Sequence, residues 1–212
     1  MNGSELWLIA GPNGVGKTTI TTTDPIHSLI AGGYHANPDV RTLEILNEEG
    51  FGNYADAPAH VLRDANIQAA NEVFAELQDC LKKDQRVVVE TVLSSSKYQP
   101  VVESVLENGG SFMLIYVANL SPDVSVARVQ LRVQKGGHDV PEDKIRSRWH
   151  RSLKLLPWFA RRADLGWVYD NTDDDPRNPP RLIATIHGGV ATMNDRHFNP
   201  GLSQMLAPLE AT

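Results

Sequence analysis

The sequence predicts an α/β fold with a mainly parallel sheet of about five strands, helices on both faces of that sheet and a helical lid. Short apolar runs alternate with stretches of helical periodicity along the chain, and the runs are apolar on both faces. Such runs are typical of strands buried between two layers of helices. The 212 residues, 41% of them hydrophobic, are enough for one domain covering residues 1–212.

Four apolar runs predict the main strands, at residues 6–10, 86–91, 112–117 and 166–170. A short extended piece covers residues 35–39, and residues 182–187 predict an edge strand within a C-terminal extension of about 176–212. Prolines, glycines and apolar spacing predict the helices between these runs. They begin at about Lys17 and at Pro58, and cover residues 40–49, 98–108, 122–135, 141–156 and 202–209.

Composition excludes several classes of protein. No run approaches eighteen consecutive apolar residues, which excludes a membrane-spanning helix, and the N-terminus lacks the basic region of a signal peptide. The single cysteine, Cys80, excludes an internal disulfide and fits a reducing cytoplasm. The formal net charge of −6 argues against general nucleic-acid binding.

Positive charge is concentrated in residues 128–162, which hold ten of the 20 lysines and arginines but only three acidic residues. This segment therefore carries +7 and the rest of the chain −13. A basic segment in an acidic chain indicates one anionic ligand, and the alternative is a solvated helix face. His138, within the segment, is a further candidate for phosphate binding.

Residues 11–18 read GPNGVGKT and match the phosphate-binding motif G-x-x-x-x-G-K-T. The motif follows a predicted buried strand and opens a helix, where backbone N–H groups can hold phosphates. Lys17, its ammonium exposed until phosphate binds, would reach the β- and γ-phosphates of ATP, and the Thr18 hydroxyl would ligate Mg²⁺. The alternative is an ordinary glycine loop. The expected nucleotide contacts are Gly11, Pro12, Asn13, Gly14, Val15, Gly16, Lys17, Thr18 and Thr19.

Two carboxylates follow extended segments, where an open α/β sheet places its ligands. Asp39, in the sequence Asn37-Pro38-Asp39, is a candidate general base, with a helix N-cap as the alternative. Glu90 follows three valines near the end of a predicted strand and is a candidate metal ligand. Its alternative is a strand-end residue with satisfied hydrogen bonds.

Arginines on two predicted helices are candidates for contacting the transferring phosphoryl group. Arg128 and Arg132 are four residues apart and share a helix face, while Arg146 and Arg148 lie on the next helix. A turn with two glycines joins these helices. It predicts a hinge for a mobile lid of about residues 128–156.

Together these motifs resemble the zeta-toxin-like P-loop kinases, and within them a bacterial branch often labelled predicted ABC-type ATPase. The resemblance covers residues 4 to 173, in the order GPNGVGKTT, NPD, VVVET, RVQLRVQKGGHDVPEDKIRSRWHRS and VYDNT. It implies a P-loop NTPase fold and ATP–Mg²⁺ as phosphoryl donor. Characterised zeta toxins phosphorylate the 3′-hydroxyl of the amino sugar in UDP-N-acetylglucosamine. The resemblance therefore implies this anionic nucleotide sugar as the small-molecule acceptor, and an antitoxin protein as a potential partner.

The resemblance also implies roles for single residues. Lys17 and Thr18 match the P-loop pair, and Asp39 matches the carboxylate that acts as base on the sugar hydroxyl. Glu90 and Thr91 match the acidic strand end that helps hold the substrate.

The remaining matches lie later in the chain. Arg132 and Arg148 best match the lid arginines that stabilise the transferring phosphoryl group. Arg128 and Arg146 match less closely, and Arg128 is a candidate substrate contact. Asn171 follows the last strand of the family, where that strand approaches adenine. Residues 50–60 match no motif.

Two other functions stay open at this point. A regulatory P-loop ATPase would act through a protein partner, although the chain lacks both an identifiable water-positioning residue and an LSGGQ-like signature. A nucleic-acid-end kinase would need a basic channel with stacking aromatic residues. Trp149 and Trp158 flank basic residues, but their spacing favours core packing.

Overall fold

The computed structural model describes residues 3–137, 139–173, 175 and 178–211, so His138 and its predicted phosphate contact lie outside the described residues. The described part of the chain forms one sheet of seven strands. In chain order they are β1 (Glu5–Ala10), β2 (Tyr34–Ala36), β3 (Arg86–Thr91), β4 (Ser111–Ala118), β5 (Leu165–Asp170), β6 (Arg181–His187) and β7 (Val190–Met193).

The strands lie in the order β2-β3-β1-β4-β5-β6-β7. The first five are parallel to one another, β6 is antiparallel to β5, and β7 is antiparallel to β6. The helices connect and cover the strands. In chain order they are α1 (Lys17–Thr21), α2 (Ile26–Ile30), α3 (Pro38–Glu48), α4 (Ala59–Lys82), α5 (Gln99–Glu107), α6 (Pro122–Gln134), α7 (Glu142–Ala160) and α8 (Pro200–Leu206).

The predicted α/β class and mainly parallel sheet are confirmed, but the sheet has more strands than the five expected. The additional strands are short and lie at the two edges: β2 has three residues and β7 has four. So few residues are too few to show a periodicity in the sequence. The helix predicted from about Lys17 ends at Thr21, and a second helix, α2, begins directly after Pro25.

The sheet has a hydrophobic core on each face, which explains why its strands are apolar throughout. In β1, Leu6 and Leu8 belong to the larger core cluster, and Trp7 and Ile9 belong to the cluster on the other face. Alternate strand residues point to opposite faces, so both faces need apolar side chains. Trp149 and Trp158 are partly buried against the larger cluster, as their spacing predicts.

The carboxyl ends of β1 to β5 meet at one edge of the sheet, where α/β proteins bind their ligands. The P-loop follows β1, Asn37 follows β2, and Glu90 lies at the end of β3. Asn119 follows β4 and Asn171 follows β5. Among the described helices, none is long and apolar enough to cross a membrane.

Candidate active site

Lys17 is buried inside the P-loop, with 8% of its surface exposed. Its Nζ donates hydrogen bonds to the carbonyl oxygens of Gly11 at 2.8 Å and Pro12 at 2.9 Å. Burial lowers the pKa of Lys17 to about 8, against the opposing effect of the charges on Glu90 and Asp39. The expectation of an exposed ammonium is therefore wrong, because the loop carbonyls fold over it. A desolvated ammonium bonded to neutral oxygens attracts an anion.

Two glycines allow close approaches to the P-loop. Gly16 has φ +88°, and a Cβ there would lie 2.4 Å from Asn171 Nδ2, which itself donates to the Val15 carbonyl at 2.8 Å. At Gly14, a Cβ would lie 2.8 Å from the carbonyl oxygen of Ser125 in α6. The end of β5 and the first turns of α6 therefore support the loop from outside. The adenine contact of Asn171 stays a prediction.

Substituting Gly16 with alanine should damage nucleotide binding selectively. We expect Gly16→Ala to weaken ATP binding roughly tenfold or more, since overpacking against Asn171 costs about 1–3 kcal/mol. The matched control is Gly109→Ala, which has φ +74° and nothing within 4 Å of its Cβ. We expect this control to lose stability but to keep its ATP affinity in equilibrium dialysis. Equal ATP affinities in the two variants would contradict the packing argument.

The two residues predicted to hold Mg²⁺ lie in direct contact. Thr18 Oγ1 donates to the carboxylate of Glu90, at 3.0 Å from Oε1 and 3.2 Å from Oε2. A hydroxyl beside a carboxylate suits Mg²⁺ in phosphotransferases, where phosphate oxygens and water complete the coordination. No group of three or more His, Cys, Asp or Glu in the described ranges could hold a metal by itself. The pair therefore fits a magnesium ion that arrives with a nucleotide.

Asp39 is the second residue of α3, and the helix is capped by another side chain. Asn37 Oδ1 accepts the backbone N–H of Asp39 at 3.0 Å, so the interpretation of Asp39 as the N-cap is wrong. The carboxylate of Asp39 is therefore not needed to cap α3. Its backbone carbonyl accepts the hydroxyl of Tyr54 at 2.5 Å.

Sequence reasoning missed Tyr54, which lies in the segment without a recognised motif. Burial raises the pKa of Tyr54 to about 12, and the charge of Asp39 adds to this effect. Phe51 and Tyr54 pack against the cluster that joins α3 to α4. The sequence did contain one indication of this packing, since Phe51 and Tyr54 are aromatic residues in an otherwise polar loop. Such side chains usually have a packing partner.

Two cavities meet at the P-loop. The first, called here the P-loop cavity, has a volume of about 660 Å³. The second, called the Asp39 cavity, has about 290 Å³. Four residues line both of them: Gly14, Lys17, Glu90 and Arg132. The P-loop cavity is also lined by Gly16, Thr18, Thr19, Arg128 and Asn171, and the Asp39 cavity by Asn13, Asp39, Thr91 and Arg148.

Asn13, one of the residues that line the Asp39 cavity, has an unsatisfied polar atom. Asn13 Oδ1 is buried and has no hydrogen-bond partner, and within the described ranges no other buried side-chain nitrogen or oxygen shares this property. Buried polar atoms are normally hydrogen-bonded, so this oxygen is an exception among the described residues. A further cavity of about 660 Å³ lies between α4 and α5, but no P-loop residue lines it.

The four candidate arginines have different environments. Arg132 and Arg148 line the Asp39 cavity. Arg128 donates to the backbone carbonyls of Asn171 at 2.6 Å, Thr172 at 3.3 Å and Asp173 at 3.1 Å. In this position its guanidinium braces the segment after β5, and a role as substrate contact stays a prediction.

Arg146 is engaged away from the cavities. It pairs with Asp123 at 2.7 Å and with Glu142 at 2.8 Å, which joins α6 to the start of α7. Of the candidate arginines, this geometry favours Arg132 and Arg148 for a phosphate role.

No protein-family model and no curated protein matches the sequence. Solved structures do match the fold. The AvrRxo1-ORF1:AvrRxo1-ORF2 complex with ATP gives a TM-score of 0.71 at 16% identity, over 100% of this chain and 65% of that chain. The PezAT chromosomal toxin–antitoxin system of Streptococcus pneumoniae gives 0.53 at 14% identity, over 99% and 78%. The Pnkp1/Rnl/Hen1 RNA repair complex gives 0.50 at 17% identity, over 71% and 44%.

This chain thus spans slightly less than two thirds of the AvrRxo1 chain that it matches. At these identities the likeness concerns the fold. This fold is consistent with a phosphate-binding loop that follows β1 and with the cavities beside that loop. The chain has the P-loop NTPase fold that its sequence resemblance implies, and it shares this fold with the AvrRxo1 and PezAT structures.

Proposed function

We propose that this protein is an ATP-dependent kinase that transfers the γ-phosphoryl group to a hydroxyl group of a small anionic acceptor. The observation that carries the proposal is the junction of the two cavities at Lys17, Glu90 and Arg132. A phosphoryl group in transfer lies between donor and acceptor, within reach of cations. ATP in the P-loop cavity would present its γ-phosphate to a hydroxyl in the Asp39 cavity.

The donor half of the site would be formed by the P-loop and its surroundings. The backbone N–H groups and Lys17 would hold the β- and γ-phosphates, and Thr18 and Glu90 would hold Mg²⁺. Magnesium, when bound, neutralises charge on the phosphate oxygens. Thr19 and Asn171 would complete the nucleotide contacts.

The acceptor half would use Asp39 as general base. Asp39 lines the cavity that would receive the acceptor. The acceptor hydroxyl would give its proton to Asp39 as its oxygen bonds to the γ-phosphorus and the bond to the leaving ADP breaks. Glu90 and Thr91 line the same cavity and would help hold the acceptor.

Arg132 and Arg148 would stabilise the charge that spreads over the transferring phosphoryl group. Because this charge is largest in the transition state, we expect Arg132→Ala and Arg148→Ala each to lower turnover by about 10²–10³, with a much smaller change in the KM for ATP. Arg151→Ala is the control, since Arg151 is exposed on the same helix as Arg148. If steady-state kinetics showed the same turnover in all three variants, the arginines would have no catalytic role.

The resemblance favours UDP-N-acetylglucosamine as the acceptor. The test is to incubate the full chain with ATP, Mg²⁺ and this nucleotide sugar, and to identify phosphorylated products by mass spectrometry. Parallel reactions would contain UDP-glucose or free N-acetylglucosamine. We expect a phosphorylated product from UDP-N-acetylglucosamine. Phosphorylation of UDP-glucose or N-acetylglucosamine alone would overturn this acceptor but not the kinase, and release of inorganic phosphate alone in every reaction would exclude all three compounds as acceptors.

A protein partner of the antitoxin type belongs to the same proposal. Two of the similar structures are an AvrRxo1-ORF1:AvrRxo1-ORF2 complex and a toxin–antitoxin system. A regulatory ATPase that acts through its partner is the alternative function. We place the protein in the cytoplasm on the basis of its cysteine content.

A further inference from the structure

One buried asparagine joins both arginine-bearing helices to the end of a central strand. Asn119 follows β4 and is 1% exposed. Its Nδ2 donates to Ser125 Oγ on α6 at 2.9 Å, and its Oδ1 accepts from Trp149 Nε1 on α7 at 2.7 Å. An indole nitrogen can only donate, so the oxygen of the amide must face Trp149. The orientation of the Asn119 side chain is therefore fixed by its two partners.

Both tethers lie close to the arginines that line the Asp39 cavity. Ser125 is fully buried and lies two turns before Arg132, on the same side of α6. The same turn of α6 touches the P-loop, because a Cβ at Gly14 would lie 2.8 Å from the Ser125 carbonyl oxygen. On α7, Trp149 directly follows Arg148. The hydrogen bonds of Asn119 thus set the position of each helix near its arginine.

The rest of α7 is anchored in the larger core. Ser152 is fully buried and shares a hydrogen bond of 3.0 Å with the Tyr116 hydroxyl from β4. Leu156 and Phe159 are also fully buried. A lid that moved as one body over residues 128–156 would have to break these contacts. Arg132 and Arg148 nevertheless line the Asp39 cavity while all of these contacts are made.

We propose that Asn119 is a positioning residue that holds Arg132 and Arg148 at the Asp39 cavity, with Arg132 at the junction with the P-loop cavity, before ATP binds. The arginines are then preorganised for the transferring phosphoryl group, and no swing of the two helices is needed to deliver them. Preorganised charges stabilise a transition state without reorganisation during the reaction. This inference rests on the proposed kinase function.

The test uses double-mutant cycles with a probe that needs no acceptor. ADP with aluminium fluoride and Mg²⁺ mimics the transferring phosphoryl group, and the gain in affinity over ADP alone measures how well the site binds that group. Ser125→Ala removes the tether on α6, and Trp149→Phe removes the tether on α7. Each should reduce the fluoride-dependent gain by about threefold to tenfold, the range expected for one hydrogen bond. Trp158→Phe is the matched control on α7 and should leave the gain unchanged.

The cycles distinguish positioning from a general loss of stability. Ser125→Ala should have little further effect in the Arg132→Ala background but its full effect with Arg148→Ala, and Trp149→Phe should show the reverse pattern. Effects that add in every background, or that follow only the melting temperature, would overturn the inference. If aluminium fluoride does not increase the affinity of the wild-type protein for ADP, the proposed kinase function is contradicted, and the positioning role falls with it. A gain in the wild type that neither tether affects contradicts the positioning role alone.

Discussion

In the Lys17→Ala variant, ATP turnover is expected to fall below detection, and ATP affinity is expected to fall by about tenfold to a hundredfold. The Lys17 ammonium is buried beneath the carbonyls of Gly11 and Pro12, and Lys17 is the one basic residue in the motif of residues 11–18. Hydrogen bonds to charged groups contribute about 1.5–3 kcal/mol, which corresponds to this loss of affinity. Turnover falls further because the same ammonium also acts on the γ-phosphate.

The fold should tolerate Lys17→Ala. The substitution leaves two loop carbonyls without their donor, but it also removes a desolvated charge. Circular dichroism and thermal melting should therefore resemble those of the wild type. Lys83→Ala is the control, because Lys83 pairs with Asp79 on the surface at the end of α4. Unchanged ATP turnover in Lys17→Ala would remove the P-loop from the account of function.

The second large effect is expected for Asp39→Asn. If Asp39 takes the proton of the acceptor hydroxyl, phosphoryl transfer should drop by roughly 10²–10⁴ while ATP still binds. Because Asn37, and not Asp39, caps α3, the substitution leaves the helix cap unchanged. A loss of activity would therefore reflect the loss of the carboxylate. Loss of the favourable charge at the helix start should cost only about 0.3–1 kcal/mol of stability.

The control for this prediction is Asp143→Asn. Asp143 is an exposed acid in the first turn of α7, so the substitution changes the same charge in the same helical position. Single-turnover rates should separate the two variants, with only Asp39→Asn slow. Near-normal transfer in Asp39→Asn would move the general base elsewhere, and Glu90 would be the next candidate.

The sequence was sufficient to predict one group of residues that meets at the site. Lys17, Asp39 and Glu90 each follow or end a strand, and in a parallel sheet the carboxyl ends of the strands share one edge. Thr18 and Glu90 are far apart in the chain, yet their contact follows from the pairing of β1 with β3. The positions of the strand ends and the P-loop motif were therefore enough to predict that these residues lie together.

The sequence did not predict the hydrogen bonds that hold these residues in place. The Trp149 ring packs where its spacing predicts, but periodicity gives no information about the partner of its N–H group. The contact of Asn171 with the Val15 carbonyl depends on the approach of the β5 end to the P-loop. Tyr54 is a similar case, since its partner is a backbone carbonyl in the next element. Such contacts depend on the packed tertiary structure rather than on local pattern.

The destination of the γ-phosphoryl group distinguishes a kinase from a regulatory ATPase. The full chain would be incubated with γ-labelled ATP, Mg²⁺ and an extract of bacterial small metabolites, and the labelled products would be separated by chromatography. We expect most of the label to enter an organic phosphate ester, and we expect Lys17→Ala and Asp39→Asn both to abolish this product. Label found solely in inorganic phosphate, with and without the extract, would contradict the kinase and favour a regulatory ATPase.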